Sequence, residues 1–488
     1  MPVRHHFPRW IICFYFPMET TLGMGPTAVI PGTPYYTTNG QDATGCEVVG
    51  NWSDDRLERV LPNPGSHRTE QDLDARDARL NLGITTGLGD EFEEKKLLVP
   101  AGTLAVLHFD LFHRGTRRIP DHDQRSMFKL QFFRTSAPTE PTWDHDPAAA
   151  EFPTDVGEPE QHAVWKGVWN WMKGAPPEET PSAAASAETA KLVRTLEDKR
   201  ERERSRVGAA YALGHSAAAG DEAALQALLR TVEQQEAEAP RRASVYGLAA
   251  AGDVAVAGLT AALTRAVEAQ GSASVGTVVP AVAHALGEAS RQASSCELAT
   301  DALLGTMANI EERLTARMGL FEGVSNGVDQ RASKLRFALA ASIQALGCVA
   351  ERVVAAGDAT AAATAGRICD ALLPYTLMGE EPGSESPHGS IVGDDFWARE
   401  GAAVGLLRLA GGGGRGAGLG QVIQHTSPAY HSDERFGPAF GRLALKRASS
   451  GAAAIDADWL TERLGAEEVQ AVRTSHFSIL HFDVGLAI

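Results

Sequence analysis

The sequence predicts a β domain followed by a long α-helical repeat region. Three observations carry this expectation. Residues 1–135 hold short apolar runs rich in Phe, Tyr and β-branched residues, punctuated by Gly and Pro. From about Val207 the composition turns alanine-rich and helical. One small-residue motif then recurs along that second part.

In chain order, Ile11–Phe16, Ala28–Ile30, Lys96–Val99, Leu104–Phe109 and Ser126–Phe133 read as strands. Gly23–Pro26, Pro31-Gly32-Thr33, Pro100-Ala101-Gly102 and Ile119–Asp123 supply turns between them. Several short strands with such punctuation suggest an all-β sandwich or barrel. Residues 35–95 read as a long polar insertion, and loops of that length are functional or mobile. Trp10–Phe16 follows two arginines and imitates a signal peptide. It is short for that role, and Pro17-Met18-Glu19 offers no small-residue cleavage site. Its aromatic and β-branched residues suit a strand.

Residues 136–205 read as a connector. It contains a Trp-rich helix, His162–Lys173, and a charged helix, Glu188–Arg206. Trp165 and Trp169 share a face of the first and read as packing groups. Asp198 and Arg202 fall at i,i+4 spacing on the second. Residues 206–488 read as a HEAT-like α-solenoid. Its motif copies are Ala209–Gly214, Ser244–Ala249, Val282–Gly287 and Ser342–Gly347, with a fainter copy at Ala403–Leu407. A period near ~40 residues, with small residues and Gly at a helix end, suits stacked helix pairs. Alanine lets neighbouring helices approach, so each repeat buries its apolar face on the next.

A chain of 488 residues has room for two to four domains. The net charge of −17 argues against a nucleic-acid partner. An acidic substrate would need a local basic patch, because the overall field repels it. No apolar run approaches the ~18 residues of a membrane span. The cysteines Cys13, Cys46, Cys296, Cys348 and Cys369 are widely spaced. They predict reduced thiols in a reducing, cytoplasmic compartment.

Chemistry concentrates in Leu104–Phe133. The stretch reads as a strand, a turn at Asp110-Leu111-Phe112 that presents His113, a polar reversal near Pro120-Asp121, and a return strand behind Arg125. Treated as a hairpin, its strands lie ~4.8 Å apart, which lets His113 and Arg125 line one cavity. A neutral imidazole is a good Fe(II) ligand, and a guanidinium fork grips a carboxylate with two bonds.

Two motifs carry a family resemblance. Leu98-Val99-Pro100-Ala101-Gly102-Thr103, continued by Phe109-Asp110-Leu111-Phe112-His113-Arg114-Gly115, resembles the distal metal-ligand strand of the phytanoyl-CoA dioxygenase family. Upstream, His5–Ile11 followed by Met24–Thr33 is similar to that family's central strand pair and its Gly-Pro…Pro-Gly turn. The resemblance covers residues 1–135. It implies a jelly roll, the cupin-like double-stranded β-helix, working as an Fe(II)/2-oxoglutarate-dependent oxygenase. His113 would then be an iron ligand and Arg125 the anchor for the 2-oxoglutarate carboxylate. His5, His6 and Thr33 are candidates for lining the cavity. The implied reaction is hydroxylation of a small molecule or acyl derivative.

The sequence departs from the family at one point. The family's first His and its carboxylate form a His-x-Asp motif just before the segment matching His5–Trp10, and here the chain begins at Met1-Pro2-Val3. The strings His108-Phe109-Asp110 and His481-Phe482-Asp483 stand elsewhere in the order and read as coincidence. Two expectations follow: an N-terminally incomplete oxygenase, or a catalytically dead oxygenase domain in a HEAT-repeat scaffold. In the second, a protein partner would sit on the solenoid. The Gly-rich string Gly411–Gly420 reads as a loop, since no strand precedes it and no Walker lysine follows. His284, on an apolar helix face, reads as a core or interface histidine.

Overall fold

The computed structural model describes residues 6–35, 93–141 (apart from 120, 121, 124, 135 and 136), 161–174 and 185–411. Within the last stretch it leaves out 199, 235–236, 270–271, 319–329, 357–358 and 377–395. His5, Cys46, nearly all of the insertion, most of Gly411–Gly420 and His481–Asp483 lie outside the described residues.

Small antiparallel sheets come first. Strand β1 (Trp10–Phe16) lies between β4 (Thr103–His108) and β6 (Phe128–Phe133). Strand β2 (Thr27–Ile30) lies between β3 (Lys95–Lys96) and β5 (Phe112–Gly115). Side chains alternate across a strand, so Ile12, Phe14 and Phe16 share one face of β1. That face is buried and packs on Leu97, Val99, Ala105, Leu107 and Met127. The opposite face shows Tyr15, Leu104 and Val106 to solvent. Phe14 of the first sheet also meets the His113 ring of the second, with centroids 5.8 Å apart. The two sheets therefore face each other across an apolar layer.

Four strands match the sequence reading to within two residues; the expected Lys96–Val99 shrinks to Lys95–Lys96, with Val99 in a lone bridge to Thr20. One further correction concerns the hairpin. Leu104–Phe133 is not a hairpin. Strands β4 and β6 both pair with β1, on its two sides, while β5 crosses to the other sheet. The run Phe112–Gly115 is short and carries two polar residues, which hid it as a strand.

Eleven helices are described after the sheets: α1 (His162–Met172), α2 (Ala185–Glu197), α3 (Glu203–Ala218), α4 (Glu222–Gln234), α5 (Glu238–Ala251), α6 (Asp253–Glu268), α7 (Ser272–Ser290), α8 (Glu297–Met318), α9 (Gln330–Ala356), α10 (Ala359–Thr376) and α11 (Phe396–Gly411). The charged helix expected over Glu188–Arg206 is broken. Asp198 Oδ1 accepts the Arg200 backbone N–H at 2.8 Å, a local bond that competes with helix continuation. From α3 onward the helices form two layers. Helices α3, α5, α7, α9 and α11 pack in succession, and α4, α6, α8 and α10 form the second row. A continuous apolar core runs from Val164 to Leu409.

The recurrent glycines lie inside helices, not at their ends as the sequence suggested. They sit where neighbours in the first layer touch. A Cβ on Gly247 would lie 2.5 Å from the Ala210 carbonyl oxygen, and one on Gly287 2.7 Å from Ala345 Cα. One on Gly347 would lie 3.1 Å from Gly405 Cα. Residues Lys334–Ala356 of α9 are long and apolar enough to cross a membrane by composition, but 72% of their most apolar window is buried among other helices. No other described helix meets that test.

The entry to β1 docks on the first helical layer. His6 stacks on Tyr246 of α5 at 3.6 Å and lies within hydrogen-bond distance, 3.0 Å, of the Tyr211 hydroxyl of α3. Arg9 pairs with Glu288 of α7 and Glu351 of α9. Trp10 packs against Val404 of α11 and stacks on Phe109.

Candidate functional site

The start of β5 is held by Thr33. Its hydroxyl donates to the Ile30 carbonyl at 2.7 Å and accepts from the Phe112 N–H at 3.0 Å. The next residue, His113, sits opposite Val29, and Gly115 sits opposite Thr27. Cross-strand partners share a face, so His113 stands beside buried Val29 and Thr27 on the face turned to the first sheet, with its own ring still exposed to solvent. His113 Nδ1 lies 2.8 Å from the Leu111 carbonyl oxygen. A carbonyl can only accept, so Nδ1 carries a hydrogen, and in the neutral ring the lone pair is then on Nε2. A histidine presented this way is suited to metal ligation through Nε2.

Arg125 precedes β6 and turns toward the same space. Its Nη1 donates to Thr27 Oγ1 at 2.6 Å. A Cβ on Gly115 would lie 4.0 Å from its Nη2, so the fork passes over the same strand pair that carries His113. Burial pushes the Arg125 pKa down from its usual value, yet a guanidinium stays charged at neutral pH. Among the described residues no carboxylate pairs with it. Arg114 differs: it lies on the other face of β5, where Glu94 holds it through two bonds at 2.6 and 3.1 Å. Arg125 is thus placed, among the described residues, to meet an external carboxylate.

The other expected site residues separate from this pair. His6 does not line a cavity between the sheets. It is 2% exposed and packed between Tyr35, Tyr211 and Tyr246, because the chain before β1 lies on the helices. Thr33 is likewise fully buried and spends its hydroxyl on backbone groups, so it positions β5 and faces no ligand. His108 alternates to the outer face of β4, opposite Ile11, and its Nδ1 accepts the Asp110 N–H. The sequence reading missed Thr27, whose contact with Arg125 arises only when the sheets close. His284 borders a small void with His6, Tyr211 and Tyr246, as an interface histidine.

Among the described residues no group of three His, Cys, Asp or Glu side chains is placed to hold a metal. His113 fits as one ligand of an iron site; two further ligands are not among these residues. The chain matches no family model, no curated protein and no solved structure.

Proposed function

We propose that the β region is a jelly-roll oxygenase domain of the phytanoyl-CoA dioxygenase type, carried on a HEAT-like α-solenoid. In this reading Arg125 anchors the distal carboxylate of 2-oxoglutarate, and His113 ligates Fe(II) through Nε2. The substrate class is a small molecule or acyl derivative. One observation carries the reading: His113 and Arg125, from different sheets, converge on the face of Thr27 and Gly115. Strand order supports it too, since β4, β5 and β6 alternate between two facing sheets as jelly-roll strands do. The ladder of α3, α5, α7, α9 and α11 supports the solenoid.

Iron with O2 would supply the oxidising chemistry. The chain's own part is to bind and orient. Thr27 fixes the Arg125 fork, the Leu111 carbonyl fixes the His113 ring, and Phe14 covers one side of it. The described residues do not complete a two-His, one-carboxylate triad.

That same fact favours a second reading, a catalytically inactive oxygenase domain serving as a scaffold, with the helical layers holding a protein partner. Calorimetry with 2-oxoglutarate and Mn(II), a redox-silent stand-in, tests the carboxylate site. The full chain should bind, and Arg125→Gln should weaken binding by roughly tenfold or more, the worth of a charge-assisted hydrogen bond. No binding by the wild-type chain overturns the oxygenase reading and leaves the scaffold. Succinate release with Fe(II) and O2 then selects the enzyme, and binding without release selects the scaffold.

A further inference from the structure

Glu351 lies on α9, far along the chain from the β region, and its two carboxylate oxygens reach both chain segments at one end of a strand pair. Oε2 pairs with Arg9 Nη1 at 3.2 Å. Oε1 accepts the Ala137 backbone N–H at 2.5 Å. Arg9 leads directly into β1, and Ala137 follows the end of β6. The two ends are also joined to each other, since the Arg134 N–H donates to the Arg9 carbonyl at 2.7 Å. One side chain of the helical layer therefore ties down the paired ends of β1 and β6.

The surroundings make this tie strong. Glu351 and Glu288 face the guanidinium groups of Arg9, Arg291 and Arg408, and all five are nearly excluded from water. The Cys348 sulfur lies 3.0 Å from Arg291 Nη2 and 3.5 Å from Glu288 Oε1. The ring of Trp171 lies 5.2 Å from the Arg9 guanidinium carbon. Within this group of five, three buried cations face two carboxylates. Losing one carboxylate would strand charge in a low-dielectric interior, the situation that makes breaking a buried pair costly.

We propose that Glu351 is a positioning residue for the His113–Arg125 site, so that the helical layer sets how well the β region binds its carboxylate ligand. The route runs along the two strands. Glu351 holds the end where Trp10 pairs with Phe133, Phe14 lies further along β1 against His113, and Arg125 precedes the opposite end of β6. Loosening the held end frees β1 and β6 to shift against β2, and with them Phe14 and the approach of Arg125 to Thr27. The inference rests on the carboxylate-site reading above.

The test uses the full chain as wild type, Glu351→Gln, Arg9→Met and the double variant. Two readouts are taken: 2-oxoglutarate affinity with Mn(II), and amide hydrogen exchange. Glu351→Gln should weaken affinity roughly fivefold, and Arg9→Met should add little in that background, because residues in one network are not additive. Exchange should quicken in Trp10–Phe16 and Phe128–Phe133 more than in α5 or α6. Unchanged affinity in a folded Glu351→Gln protein overturns the proposal, as does exchange that rises equally everywhere. Should Glu351→Gln not fold, Arg9→Met alone is read by the same two criteria. Should the wild type bind no 2-oxoglutarate, the carboxylate reading fails by itself, and selective strand exchange still decides whether Glu351 holds β1 and β6.

Discussion

The Thr27 hydroxyl accepts a 2.6 Å hydrogen bond from Arg125 Nη1, joining the centre of one sheet to the chain entering the other. Thr27 is nearly fully buried, so no water replaces it as the partner that orients the fork. Thr27→Val keeps the shape and removes the acceptor. We expect 2-oxoglutarate affinity to fall by about tenfold with the fold intact, since a hydrogen bond to a charged group contributes ~1.5 kcal/mol or more. Calorimetry beside a circular dichroism melt separates the two effects.

Glycines in the helical layers should respond in opposite directions to alanine. Gly247→Ala would put a methyl 2.5 Å from the Ala210 carbonyl oxygen and force α3 and α5 apart. A loss of about 1–3 kcal/mol is expected from such overpacking. Gly305 in α8 has open space at its Cβ position. Gly305→Ala should gain roughly 0.5–1 kcal/mol from helix propensity alone. Urea denaturation of both variants measures the contrast.

The two faces of the first sheet should differ as sharply. Ile12 is 0% exposed among Phe14, Phe16 and Leu107, whereas Val106 on the outer face of β4 is 57% exposed. Ile12→Ala should cost about 2–5 kcal/mol, as large-to-small core changes do. Val106→Lys should stay within about 0.5 kcal/mol. It also places a charge on an exposed apolar edge strand, so less self-association is expected by light scattering.

Thiol reactivity should be low and rise with pH. Burial pushes the pKa of Cys13 and Cys296 above the ordinary thiol value. Burial disfavours the thiolate, so less of it exists at neutral pH than on a free cysteine. Cys296 is half-buried, while Cys13, Cys348 and Cys369 are buried. Among these four, Cys296 should label first with a disulfide reagent, slowly at pH 7 and faster toward pH 9. Mass spectrometry of the labelled peptides identifies the order, and Cys13 reacting before Cys296 would contradict it.

The sequence by itself determined the local elements and the division between β and α regions. The short aromatic and β-branched run Trp10–Phe16 marks a strand whatever its partners are. The alanine-rich copies with Gly214, Gly247, Gly287 and Gly347 mark helices that must approach closely. His113 and Arg125 were legible as chemistry-bearing types in a suggestive order. Tertiary structure alone decided where they go. Strand β5 left the expected hairpin for the second sheet, and Arg125 reaches Thr27 on the strand paired with β5 because the sheets close on each other. It also moved His6 onto Tyr246 and gave Glu351 its hold on Arg9 and Ala137. Periodicity is a local property, set by backbone geometry over a few residues. Which strands pair, and which side chains meet across layers, depends on contacts between residues far apart in the chain, and these form only when the whole core packs.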